Sequence, residues 1–72
     1  MYYPRMKEVR IDNDSTQTEV AKILKITQQQ YQLYESGKRS LPTDLLYEFC
    51  EYYQVSADYI LGLPRGLSWP RG

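Results

Sequence analysis

The sequence predicts an all-α fold: a compact bundle of five short helices with an irregular C-terminal tail. Three observations point there. Apolar residues recur three and four positions apart, as in Met6–Val9 and Val20–Ile23–Leu24, with no two-residue alternation. Two segments, "TQTE" at 16–19 and "TQQQ" at 27–30, carry the residues of a helix-starting capping box. Glycine and proline fall between the periodic segments rather than inside them.

The first helix is expected from about Arg5 to Asn13, opened by Pro4, whose missing N–H is harmless in a first turn. Met6 and Val9 form its inner face, and "NDS" ends it. The second, about 17–24, starts at the Thr16–Glu19 capping box and buries Val20, Ile23 and Leu24, with small Ala21 beside them. The third, about 28–36, starts at the Thr27–Gln30 box, with Ile26 and Tyr31 placed to pack as a hydrophobic staple. Tyr31 and Tyr34 take its inward face, so Gln28, Gln29, Gln32 and Leu33 point away, and Gly37 stops it. The fourth, "PTDLLYEFCEYY", presents Leu45, Leu46, Phe49, Cys50 and Tyr53 on a wide apolar face. Ser56 caps the fifth, "ADYIL", which stops at Gly62; Val55 and Ile60 make another staple. Residues 1–63 form one domain. In the tail, 64–72, Leu67 and Trp69 are apolar enough to pack on the body or on a partner. Tyr31, Tyr34, Tyr47, Tyr53 and Tyr59 are assigned mainly to packing; Tyr2, Tyr3 and Tyr52 stay open.

Composition narrows the function. A chain of 72 residues buries roughly 60% of its unfolded surface and has no room for a second domain. Cys50 is the single cysteine, so no internal disulfide exists and a reducing cytoplasm is the expected setting. It sits in "LLYEFCEYY" as a small core residue. There is no histidine to serve as general base or metal ligand, no phosphate-cradling glycine loop and no metal-ligand cluster. An enzyme, a metal site and a cofactor are therefore not expected, and no small-molecule ligand is evident. No apolar run approaches the ~20 residues of a membrane span, and the N-terminus lacks a signal-peptide core. Net charge is zero, but residues 16–40 set four cations against two carboxylates, whereas 41–63 carry Asp44, Glu48, Glu51 and Asp58 and no cation. One end can face phosphates while the other is repelled by them.

Two capped helices joined by about three residues, the second with a polar outer face, form a helix-turn-helix. "TQTEVAKILKITQQQYQLYESGKRSLP" resembles the helix-turn-helix of the Cro and lambda-repressor-like family. The likeness rests on Gln17, Ala21 at the helix crossing, Ile26 in the turn, "YESGKR" at 34–39 and the closing "VSADYILGL", and covers about 5–63. The resemblance implies a five-helix DNA-binding fold and sequence-specific binding of double-stranded DNA by a prokaryotic or phage-type transcriptional regulator, a repressor, acting as a homodimer on a palindromic operator. It implies base contacts by Gln28 and Gln29, with Gln28 reading adenine. A glutamine head carries an acceptor and a donor that match adenine N6 and N7. Gln32, one turn on, is a further candidate for base or phosphate, and Leu33 for a thymine methyl. Gln17, Lys38 and Arg39 are implied backbone contacts, and Arg10 and Glu35 a structural salt bridge.

Each reading has a plainer rival. The glutamine run is solvated filler if nothing lies opposite it, and Lys38–Arg39 is then an ordinary wet loop. A different class of function is a protein-interaction module, an antitoxin or anti-repressor that keeps the fold and loses operator binding; the acidic fourth and fifth helices and the apolar tail fit it. Three features depart from the family pattern: Lys25 in the turn where glycine is usual, Ser15 at a usually apolar position, and zero net charge. A left-handed Lys25 carries roughly 1–2 kcal/mol of strain.

Overall fold

The computed structural model describes residues 3–63 as five helices and no strand. They are α1 (Pro4–Asp12), α2 (Gln17–Leu24), α3 (Gln28–Glu35), α4 (Thr43–Tyr53) and α5 (Ala57–Leu61). Helix ends differ from the sequence expectation by one residue: α1 begins at Pro4 and stops at Asp12, α3 stops at Glu35, and Pro42 stands as the cap of α4.

Local chemistry explains each start. The Thr16 hydroxyl accepts from the Glu19 N–H at 3.1 Å while the Glu19 carboxylate accepts from the Thr16 N–H at 2.8 Å. Accepting that backbone bond holds the Glu19 carboxyl below its usual range. Thr27 and Gln30 repeat the arrangement at 3.1 and 3.0 Å, so the last of the three consecutive glutamines is occupied in starting its helix. Ser56 accepts from the Tyr59 N–H at 3.1 Å. The stops are left-handed: Gly37 at φ 81 after α3, Gly62 at φ 73 after α5, and two residues that pay sterically for the same turn, Lys25 at φ 60 and Gln54 at φ 56.

One core joins all five helices. Met6 and Val9 of α1, Val20, Ala21 and Leu24 of α2, Tyr31 of α3, Phe49 and Cys50 of α4 and Ile60 of α5 are buried together. Ile23, Ile26, Leu45, Leu46, Tyr53 and Val55 close its margins. Burial raises the Cys50 thiol pKa, which disfavours the nucleophilic thiolate. Helices α2 and α3 make the most extensive contact, with α1 across one side and α4 beneath α2.

Two tyrosines assigned to packing lie outside instead. Tyr47 is 66% exposed, because the buried stripe of α4 runs through Leu46, Phe49, Cys50 and Tyr53 and leaves position 47 on the far side. Tyr59 is 43% exposed and serves as a platform for Arg5, whose guanidinium lies 4.6 Å from the ring centroid and donates to the Tyr59 carbonyl at 2.8 Å. Tyr52 is exposed and meets Tyr53 edge-on, and Tyr3 packs against the core. Tyr2, Leu67 and Trp69 lie outside the described residues.

Candidate nucleic-acid interface

The turn between α2 and α3 fixes the site. Lys25 adopts φ 60, ψ 41 and donates to the Lys22 carbonyl, while the Ile26 N–H returns to the Ala21 carbonyl at 3.0 Å. The chain reverses within a few residues, and the two capping boxes set where each helix begins. With Tyr31 and Tyr34 in the core, α3 presents Gln28, Gln32, Gln29 and Leu33 as one contiguous face. Gln28 and Gln29 are exposed; Gln32 and Leu33 are half-buried. After α3 the Arg39 N–H is tied to the Leu33 carbonyl at 3.1 Å, which folds the Gly37 loop back and holds Lys38 and Arg39, both exposed, beside the end of the helix.

Beneath this face lies a polar chain. Arg10 of α1 grips Glu35 of α3 with two nitrogens, Nε at 2.8 Å from Oε2 and Nη2 at 3.1 Å from Oε1. Its Nη1 donates to the Ser15 carbonyl at 2.9 Å. Glu35 is only 4% exposed, the one buried charged residue among those described. Burial acts to raise its pKa; hydrogen bonding to Arg10, the adjacent Tyr31 hydroxyl and Gln17 outweighs it, and the carboxyl sits below its usual range. Desolvation and the carboxylate in turn push the Tyr31 hydroxyl well above its usual pKa. That hydroxyl is fully buried and has no partner at full hydrogen-bond geometry.

The chain continues outward. Gln17 Nε2 donates to Glu35 Oε1 at 3.2 Å, and Gln17 Oε1 accepts from Gln28 Nε2 at 2.7 Å. Gln28 thus keeps its oxygen and its second N–H unused, the acceptor–donor pair that adenine requires. Gln17 likewise keeps one N–H beside the first turn of α2, whose unpaired backbone N–H groups suit an anion.

A polar cleft of about 350 Å³ opens next to this chain, lined by Lys7, Gln17, Gln32, Glu35 and Ser36. Lys7 of α1 was missing from the sequence reading, and so were the contacts of Gln17 with Gln28 and Glu35. Lys7 lies outside the helix-turn-helix segment, and the glutamine pair is separated by a turn whose geometry no spacing rule supplies. Among the described residues no group of acidic, histidine or cysteine side chains is arranged to hold a metal, and no helix is long and apolar enough to cross a membrane.

Comparison with known proteins agrees with this geometry. A helix-turn-helix family model of the Cro and C1 type matches residues 6–60. The chain is 35% identical over 63 residues to an uncharacterized HTH-type transcriptional regulator, YobD, of Bacillus subtilis (strain 168). The match takes in 88% of the present chain and 56% of that relative, so the chain spans about half the relative's length.

Proposed function

Because the chain belongs to the Cro and lambda-repressor-like helix-turn-helix family, we propose that it is a sequence-specific double-stranded-DNA-binding transcriptional regulator that represses by occupying a promoter. The observation that carries this reading is the exposed face of α3, where Gln28 stands with an acceptor and a donor unused. Gln28 reads adenine in the major groove, Gln29 contacts a second base, and Gln32 and Leu33 meet the groove at its margin. Gln17, Lys38 and Arg39 hold the sugar–phosphate backbone and set register without reading sequence. Base discrimination by one bidentate glutamine is about 1–3 kcal/mol.

A helix of 8 residues is only about 12 Å long and spans few base pairs. Two copies double the sequence read, with their α3 helices about 34 Å apart on a palindromic site. The homodimer is formed by α5, the residues around Leu41 and the tail, 64–72, which lies outside the described residues. A shallow groove on α4 and the turn before α5, lined by Leu46, Tyr47, Cys50 and Val55 and edged by Glu51 and Gln54, offers apolar surface beside the start of α5. Zero net charge makes specific contacts and dimerisation carry the affinity, with weak binding to random DNA.

The test is selection of preferred duplexes from a random library at about physiological salt, with Gln28→Ala/Gln29→Ala as control. Enrichment of a two-fold symmetric site that the double variant loses or relaxes is the expected result. A folded wild type that enriches nothing, and matches the variant in weak binding, removes base readout and leaves the protein-interaction reading.

A further inference from the structure

From the unbroken chain Arg10–Glu35–Gln17–Gln28 we infer that Glu35, a residue that reaches no base, is a positioning residue for sequence readout. It aims Gln28 by holding Gln17. The inference rests on the proposed reading of DNA by α3.

Gln28 and Gln29 are neighbours on one helix, both exposed, yet they differ in support. Gln28 donates to Gln17 at 2.7 Å, and Gln17 is held by Glu35 at 3.2 Å. Gln29 has no such side-chain partner among the described residues. A glutamine has three rotatable bonds, and fixing one at an interface costs conformational entropy. Gln28 meets that cost before DNA arrives, provided that Gln17 is itself fixed. Glu35 fixes it, because a carboxylate clamped by two Arg10 nitrogens and buried to 4% exposure has little freedom to move. The amide orientation follows as well. Gln17 must turn its nitrogen to the acceptor-only carboxylate, which leaves its oxygen facing Gln28. Gln28 must then turn its nitrogen inward and its oxygen outward. The charge on Glu35 therefore selects which way the Gln28 head points, and with it the hydrogen-bond pattern offered to a base.

A structural ion pair alone behaves differently. Its loss weakens the fold or lowers affinity for every duplex equally. Loss of an aiming device lowers the preference at one base pair.

The experiment measures binding of the selected duplex, and of the same duplex changed one base pair at a time, to wild type, Gln17→Ala, Arg10→Met/Glu35→Met and Arg10→Met/Glu35→Gln. Methionine at both positions removes the pair without stranding a charge; glutamine at 35 offers Gln17 an amide in place of the charge. The expected result is a loss of about tenfold in preference, confined to the base pair at which Gln28→Ala also loses it. Arg10→Met/Glu35→Gln, whose unclamped neutral amide can turn either its oxygen or its nitrogen to Gln17, should lose the preference too. Adding Gln17→Ala to Arg10→Met/Glu35→Met should lose no further preference, since both break one chain, while affinity for every duplex falls with the Gln17 backbone contact. An unchanged profile in folded Arg10→Met/Glu35→Met overturns the inference. Side-chain amide order parameters in the unbound wild type decide the matter even if that variant does not fold. Gln17 and Gln28 should be ordered and Gln29 mobile, and equal mobility of all three refutes the relay. A wild type that selects no duplex removes the DNA reading, and the inference falls with it, whatever the amides show.

Discussion

The Tyr53 hydroxyl donates to Ser15 Oγ at 3.0 Å, tying the last turn of α4 to the loop that follows α1. Ser15 stands where the family pattern is apolar, and the bond explains how a hydroxyl is accommodated there. A half-buried polar group is tolerated when its partner comes with it. Tyr53→Phe and Ser15→Ala should each cost about 0.5–1.5 kcal/mol, and the double variant less than the sum. Urea unfolding of the four proteins measures this. Strict additivity shows that the hydroxyls do not act on each other.

The Arg10–Glu35 pair should respond asymmetrically. Removing one partner, as in Arg10→Ala or Glu35→Ala, leaves the other charge in a nearly closed site and should cost about 3–5 kcal/mol. For a domain whose whole stability is on the order of 5 kcal/mol, that is close to unfolding. Replacing both by methionine should stay within about 1 kcal/mol of wild type. Thermal unfolding of the three variants distinguishes a buried pair from a solvated one, for which all three would sit near wild type.

The same carboxylate sets an acid dependence. The folded-state pKa of Glu35 lies below its unfolded value, so the unfolded chain takes up a proton first as pH falls. Its stabilisation is complete above the unfolded pKa of about 4.3 and fades as pH drops through the folded value. Glu19, also lowered, acts in the same direction from an exposed position. Stability should therefore hold from neutral pH down to about 5 and fall as pH drops through and below the unfolded pKa, and the fall should be shallower in Arg10→Met/Glu35→Met. Denaturant midpoints at a series of pH values check the slope, and equal slopes in the two proteins would falsify the assignment to Glu35.

How much of this was legible in the sequence depended on the range of the interaction. The capping boxes at Thr16 and Thr27 are local, and the structure has them bond for bond where the residues predicted. The buried stripes of α2 and α3 follow from helical spacing alone. Tyr47 and Tyr59 went wrong because an aromatic residue counts as core by composition, while its face is decided by the one helical turn around it. Gln17–Gln28 and Gln17–Glu35 join residues 11 and 18 positions apart across a reversal. Each glutamine was legible as a candidate contact, but not that they hold one another, because that depends on how α2 and α3 cross. Lys7 went unseen because it lies on α1, outside the helix-turn-helix segment, and reaches the cleft only through the packing of α1 on α3.

Lys25 offers a stability gain. It is left-handed at φ 60, a conformation that disfavours a residue with a Cβ by roughly 1–2 kcal/mol. Lys25→Gly should stabilise by about 0.5–1 kcal/mol, the entropy of glycine in the unfolded chain taking back the rest. Gln54 has nearly the same geometry at φ 56, but its side chain donates to the Glu51 carbonyl at 2.6 Å. Gln54→Gly loses that bond and should gain less. Melting temperatures of both variants settle the order, a gain of 1 kcal/mol being worth about 4–8 °C in a domain this small.

Lys7 offers a test on the DNA side. It lines the polar cleft with Gln17, Gln32 and Ser36, next to the end of α2 that suits an anion, and makes no ion pair among the described residues. Glu35 lines the cleft too, but its charge is already matched by Arg10. A DNA phosphate in contact with Gln17 therefore lies within the field of Lys7. Lys7→Ala should weaken binding to all duplexes alike and reduce the slope of log affinity against log salt by about 0.9, the share of one phosphate contact. Its exposure means the fold should be unaffected. Gln28→Ala should do the reverse, relaxing sequence preference and leaving the salt slope in place. A salt titration of the three proteins on one selected duplex separates the two roles. An unchanged slope in Lys7→Ala places Lys7 outside the contact and leaves Gln17, Lys38 and Arg39 as the proposed phosphate contacts.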